Sequence, residues 1–217
     1  MEDVLAVYTR PRDPDMPLVC LDEASKQLIA ETRAPIKMKE RRPVRFDYEY
    51  ERNGAANLFM MFAPLEGWRH VKVTDRHTAV DYAHALKDLA DVHFLNAKKI
   101  ALVQDNSPRS GGVRSAPLNT HTKASLYEAF PAAEARRLAE RCEWHYTPKH
   151  GSWLDMAESE LGVLCPSASI AASRINKLSS TKSQLRRMIE TPTTPTADWQ
   201  FTAADARIKL KHLYPSI

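Results

Sequence analysis

Apolar and polar positions alternate with a period of two in several short stretches of the chain, and with a helical period in others. Leu18-Val-Cys-Leu-Asp-Glu23 is an apolar run closed by two acids, the pattern of a buried strand whose carboxyl end opens into a site. From Arg45 to Glu51, Phe46, Tyr48 and Tyr50 alternate with charged neighbours, which predicts a half-exposed strand. Asn53-Gly54 then predicts a hairpin turn, and Asn57-Leu-Phe-Met-Met-Phe62 its more central antiparallel return. Trp68 to Thr74 alternates again, so the strand ending at Asp22 is expected to lead a three-stranded meander.

The period changes at Thr78 to Leu89, where Val80, Ala83, Leu86 and Leu89 fall at helical spacing. Lys99-Ile-Ala-Leu-Val-Gln-Asp105 repeats the first design, an apolar strand ending in an acid, and the intervening helix allows the two strands to lie parallel. Leu126 to Phe130 and Ala132 to Arg141 read as helices, and Glu143 to Thr147 as a strand that stops at Pro148. After the polar turn Lys149 to Ser152, Ser152 is expected to cap a helix whose apolar face is Trp153, Met156, Ala157, Leu161 and Leu164. Residues 1–17, with three prolines, read as a connector, and 24–43 as basic and irregular.

At 217 residues and 43% hydrophobic, the chain can bury one good core. A net charge of +4 permits a nucleic-acid partner without requiring one. Cys20, Cys142 and Cys165 are odd in number and lack any CxxC spacing, which argues against a disulfide framework or zinc knuckle and for buried thiols in a reducing cytoplasm. No apolar run reaches transmembrane length, so no membrane partner is expected.

The candidate chemistry is a set of acids in the order strand end, strand end, helix: Asp22, Asp105 and Glu158. Converging at one sheet edge, such carboxylates suit a hard divalent cation. Acids at strand ends are also common where no metal binds, and spacing alone leaves both readings open. Glu23 and Glu160 read as solvent-facing or supporting residues, His77 and His84 as helix-surface histidines. Lys37 to Arg45 could grip phosphates or be a solvated loop, and Asp205 to His212 is a basic amphipathic end expected to pack on the sheet, with contact to DNA as the alternative.

Four motifs carry a resemblance: Val19-Cys-Leu-Asp-Glu23, Leu102-Val-Gln-Asp-Asn106, Leu118-Asn-Thr-His-Thr122 and Tyr146-Thr-Pro-Lys-His-Gly-Ser-Trp-Leu-Asp-Met-Ala-Glu158. Together with Asp47 to Ala63 and Trp199 to Lys211, they resemble the catalytic domain of mariner-like bacterial insertion-sequence transposases, the DDE superfamily endonucleases. The resemblance implies an α/β, ribonuclease-H-like fold: a mixed five-stranded sheet with helices on both faces. It implies Asp22, Asp105 and Glu158 as catalytic ligands of Mg2+ or Mn2+, and Lys149, His150 and His121 near DNA. The implied function is cleavage and strand transfer of DNA, at element ends and target, in the cytoplasm and by a homodimer in the transposition complex. The alternatives are an inactive remnant that at most binds DNA or the intact enzyme, and a ribonuclease-H-like nuclease or resolvase.

The chain departs from the family pattern in three places. Residues 107–117 form an insert rich in Gly, Ser, Arg and Pro between the second acid and His121. Asp155 stands where relatives carry Asn, adding a like charge near Glu158. Resemblance is lost after Leu164. Ser167 to Ser173 can be encoded so that the nucleotides, read two bases later, give Cys-Leu-Asp-Arg-Arg-Ile, a charged helix continuation of the family kind. The expected organisation is therefore 1–17 as a connector from a missing N-terminal DNA-binding region, 18–164 as the catalytic domain, 165–196 as a divergent, frame-shifted segment, and 197–217 as a basic tail. The insert and the divergent segment predict an impaired enzyme.

Overall fold

The computed structural model describes residues 1–32, 49–105, 122–149, 151–162, 196–197 and 199–214. In chain order the elements are α1 (Glu2–Tyr8), β1 (Leu18–Glu31), β2 (Tyr50–Ala63), β3 (Trp68–Thr74), α2 (Ala79–Asp88), β4 (Ile100–Gln104), α3 (Ala124–Ala129), α4 (Ala132–Arg141) and β5 (Cys142–Tyr146). A helix over 156–162, here α5, and α6 (Ala203–Lys209) follow. One five-stranded sheet has the order β3-β2-β1-β4-β5. Its β1–β2 and β2–β3 pairs are antiparallel, and its β1–β4 and β4–β5 pairs parallel. This is the expected mixed, ribonuclease-H-like α/β sheet.

Strand alternation divides the core in two. Leu18, Cys20, Leu58, Met60, Ala101 and Val103 face a cluster completed by α1, α5 and α6 through Leu5, Tyr8, Met156, Ala157 and Ala206. Val19, Leu21, Phe59, Met61, Ile100 and Leu102 face the other cluster, closed by Tyr82 and Leu86 of α2, Leu126 of α3 and Leu138 of α4. Because β4 is covered on both faces, all five of its residues are buried, which is why Ile100–Gln104 reads as a continuous apolar run ending in one amide.

Three local expectations are corrected. Residues Glu2–Tyr8 are not irregular connector: Val4, Leu5, Val7 and Tyr8 are buried, Arg207 of α6 makes a bidentate pair with Glu2, and Asp3 reaches His145 of β5 at 2.8 Å. Asn53-Gly54 is not the hairpin turn but lies inside β2. The register slips between Gln27 and Ile29 of β1, with Gly54 at φ 90°, so β2 carries an extra residue as a bulge. A bulge and a tight turn both need positive φ, which explains how one dipeptide can signal either. Finally, β1 does not stop at Asp22 but runs to Glu31, through residues expected to be irregular. The basic run 37–45, the insert 107–117 and most of 165–196 lie outside the described residues. The C-terminal basic segment packs as expected, with Ala206 of α6 fully buried.

Candidate active site

Two of the acids are set side by side by strand register. β1 and β4 run parallel with Leu18, Val19, Cys20 and Leu21 opposite Ala101, Leu102, Val103 and Gln104. Asp22 and Asp105 are the next residues on each strand, and neighbouring strands lie about 4.8 Å apart. Alternation places both on the face that carries Cys20 and Val103. What ends here is β4, so Asp105 leaves the ladder beside an Asp22 still held in it by Met60 of β2.

β5 supplies the support for Asp105. Thr147, just past the end of β5, donates its backbone N–H to the Gln104 carbonyl at 3.0 Å and its hydroxyl to Asp105 Oδ1 at 2.6 Å. Behind them, Gln104 is fully buried and accepts the hydroxyl of Tyr82 on the opposite face. The chain then turns at Pro148, whose carbonyl accepts the Gly151 N–H at 2.8 Å. A Cβ on residue 151 would sit 2.5 Å from Pro148 Cγ, so glycine is required by close approach.

After a single 3-10 turn, Ser152–Leu154, Asp155 caps α5: its Oδ1 accepts the Ala157 N–H at 2.9 Å and its carbonyl the Glu158 N–H at 3.1 Å. The helix thus begins at 156, not at Trp153. The carboxylate, placed where it can satisfy an orphan helix N–H, takes the capping role expected of Ser152. Glu158 stands in the first turn, where the helix dipole favours an anion, and its side chain is exposed. Farther along, Glu160 pairs with Arg69 of β3 at 2.9 Å, which fixes α5 across the antiparallel half of the sheet.

Electrostatics tie the strands to the helix. Asp155 is 1% exposed, and its Oδ2 has no hydrogen-bond partner among the described residues. Burial pushes its carboxyl well above the usual carboxylate range. The charges of Asp22, Asp105 and Glu158 push the same way, against the Ala157 N–H. Asp155 therefore lies within electrostatic reach of all three predicted acids. Burial also raises the thiol of Cys20, one step before Asp22 on the same face, and the Asp155 charge adds to it.

Carboxylates such as those of Asp22, Asp105, Asp155 and Glu158 are the donors that a hard divalent cation takes, so the chemistry of the residues present fits such an ion. Among the described residues, however, no three His, Cys, Asp or Glu side chains already stand close enough to hold one. Lys149 is exposed on the turn before α5, while His121 and His150 lie outside the described residues. Glu23 is 4% exposed and, by alternation, belongs to the opposite face of β1, so it is neither solvent-facing nor one of this group. His77 contacts Asn57 at 3.1 Å, and His84 packs edge-on against Phe130 at 5.0 Å, both structural roles. Sequence patterning missed Thr147 and Tyr8. Thr147 sits within the Tyr146-Thr-Pro motif, but nothing in its spacing marks it as the partner of Asp105.

The family described as "DDE superfamily endonuclease" matches residues 17–179. No curated protein matches the chain. Among solved structures, the Mos1 mariner paired end complex with Mn superposes with a TM-score of 0.50 at 15% identity, over 88% of this chain and 53% of that one. The Mos1 transposase paired-end complex with left transposon end gives 0.48 at 16% identity, over 88% and 52%. The chain thus spans about half the length of these two structures, and it shares the fold of the first.

Proposed function

The chain belongs to the DDE superfamily endonuclease family, and from that premise we propose that it is the catalytic part of a DNA transposase that cuts and joins phosphodiester bonds at the ends of an insertion sequence. The observation that carries this reading is that Asp22 and Asp105 each follow the last residues paired between β1 and β4, Leu21 and Gln104, on the sheet face covered by the helix that bears Glu158. Magnesium or manganese held by Asp22, Asp105 and Glu158 would activate a water or a 3′-hydroxyl and stabilise the leaving oxygen. Asp22 and Asp105 stand on packed strands, and the Thr147 hydroxyl orients Asp105. Glu158 comes from a helix pinned by Glu160–Arg69, and Asp155 at its N-cap is buried.

DNA is the partner, at element ends and target, and two copies would pair two ends in the cytoplasm. Lys149, His150 and His121 supply phosphate contacts, which carry no sequence information, so binding is weak, salt-sensitive and indifferent to sequence. The rival reading is an inactive remnant. It is favoured by the lack, among the described residues, of a closed three-ligand group. Strand-transfer assays on element ends with Mg2+ or Mn2+ decide between them. Joined products lost in Asp22→Asn support the transposase, cutting without joining points to a nuclease or resolvase, and neither leaves the remnant.

A further inference from the structure

Resting on the DNA reading above, we propose that Trp153, Phe201 and Lys209 form a stacking platform for an unpaired base of the DNA strand lying beside the acids. Trp153 is 48% exposed, although the next two residues, Leu154 and Asp155, are buried. Its backbone is held on both sides: the Leu154 N–H donates to the Gly151 carbonyl at 3.0 Å, and the Leu154 carbonyl accepts the Tyr8 hydroxyl at 2.6 Å. A large indole is therefore held in water by a rigid turn, two residues before the acid that faces Asp22, Asp105 and Glu158.

The surroundings suit a nucleotide better than an apolar protein segment. Phe201 stands edge-on to Trp153 with ring centroids 6.1 Å apart, and Lys209 Nζ lies 5.6 Å from the Phe201 centroid. Trp199 anchors this second ring to the core, donating its indole N–H to the Phe201 carbonyl at 2.6 Å and packing 4.9 Å from the Tyr8 ring. Lys149 and Lys209 are both exposed cations, complementary to a phosphodiester backbone. Aromatic rings beside basic side chains are the arrangement that binds single strands. In a duplex the base faces are already stacked on each other, so only an unpaired base can use the indole.

The test measures binding of the full chain, without divalent ion, to a DNA duplex carrying a short single-stranded overhang with 2-aminopurine, and to the same duplex with blunt ends. The native chain is expected to quench the 2-aminopurine and to prefer the overhang. Trp153→Ala should lose the quenching and weaken overhang binding on the order of tenfold, with blunt-duplex binding unchanged. Trp153→Phe should keep most of both, whereas Trp153→Leu, larger than alanine and apolar but without a ring, should behave as Ala does even if the Ala variant folds poorly. If both DNAs bind but ring removal changes nothing, the platform is wrong and the DNA reading stands. If neither DNA binds at any salt concentration, both are overturned.

Discussion

The hydroxyl of Tyr8 donates to the carbonyl of Leu154 at 2.6 Å, joining residues 146 positions apart in the chain. The same hydroxyl lies 3.5 Å from Cys20 Sγ, so one phenol ties α1 to β1 and to the turn that leads into α5. Burial pushes the Tyr8 hydroxyl far above its ordinary range, and it remains a neutral donor.

Tyr8→Phe should therefore cost about 1–3 kcal/mol, because it leaves the Leu154 carbonyl buried without its partner. Denaturant unfolding measures this through the midpoint at unchanged slope. A loss below a few tenths of a kcal/mol would mean that α1 does not hold the turn.

Asp155 gives the chain a pH dependence. Its carboxyl is raised in the folded protein, first by burial and then by Asp22, so folding favours the protonated form. The stabilisation from that proton is complete below the unfolded carboxylate value, about 3.9, and is lost as pH rises through the higher folded value. Asp155→Asn keeps the cap and removes the charge. Without divalent ion, the variant should be more stable than the native chain at neutral pH, with the difference shrinking toward pH 4. Parallel stability curves for the two proteins across that range would contradict a buried Asp155 carboxyl raised on folding.

The acids should respond to metal as a group. Millimolar Mg2+ or Mn2+ is expected to raise the melting temperature of the native chain, with a gain near 2.7 kcal/mol when the ion is at about 100 times its dissociation constant. Neutralising Asp22, Asp105 or Glu158 singly, as Asn or Gln, should abolish that gain. It should also leave the metal-free protein as stable or more so, since one repelling charge has gone. Melts that ignore both ions would remove the metal from the site.

Gly151→Ala tests the approach to the site. The added methyl group meets Pro148 Cγ at 2.5 Å, and relief requires the turn before Trp153 to move, at a cost of about 1–3 kcal/mol. Pro148→Ala in the same chain should recover most of that loss, a coupling that a double-mutant cycle reads directly.

The strands beneath the candidate site were legible because they are covered on both faces. The burial of Leu18 to Leu21 and of Ile100 to Gln104 follows from unbroken apolar runs, and each run carries its acid at a fixed offset. What could not be read was where a ladder ends. Asp22 and Asp105 have similar sequence surroundings, yet β1 continues past its acid because β2 still pairs with it, while β4 stops. Pairing partners distant in sequence decide this, and hydropathy does not record them. Likewise Ser152 and Asp155 are both good caps, and the tight contact between Gly151 and Pro148 precedes a 3-10 turn that delays the helix to the second. The burial of α1 was hidden by the prolines that follow it, although Val4, Leu5, Val7 and Tyr8 already fall on one helical face.

The length of β1 has a mechanical consequence. Beyond Leu21 the strand has no pairing with β4, and beyond Asn57 the strand β2 has none with β3. Among the described residues, from Lys26 to Glu31 and from Tyr50 to Ala56, the sheet therefore narrows to a two-stranded ribbon interrupted by the Gly54 bulge. Isolated ribbons are marginal in water. Amide hydrogens there should exchange by local opening, far faster than those of Val19, Leu21 or Leu102, and the change should fall within a few residues of Asp22. The first acid thus stands at the boundary between a cooperative core and a segment able to unzip alone, so strand motion beyond the site need not disturb the carboxylate held at its root.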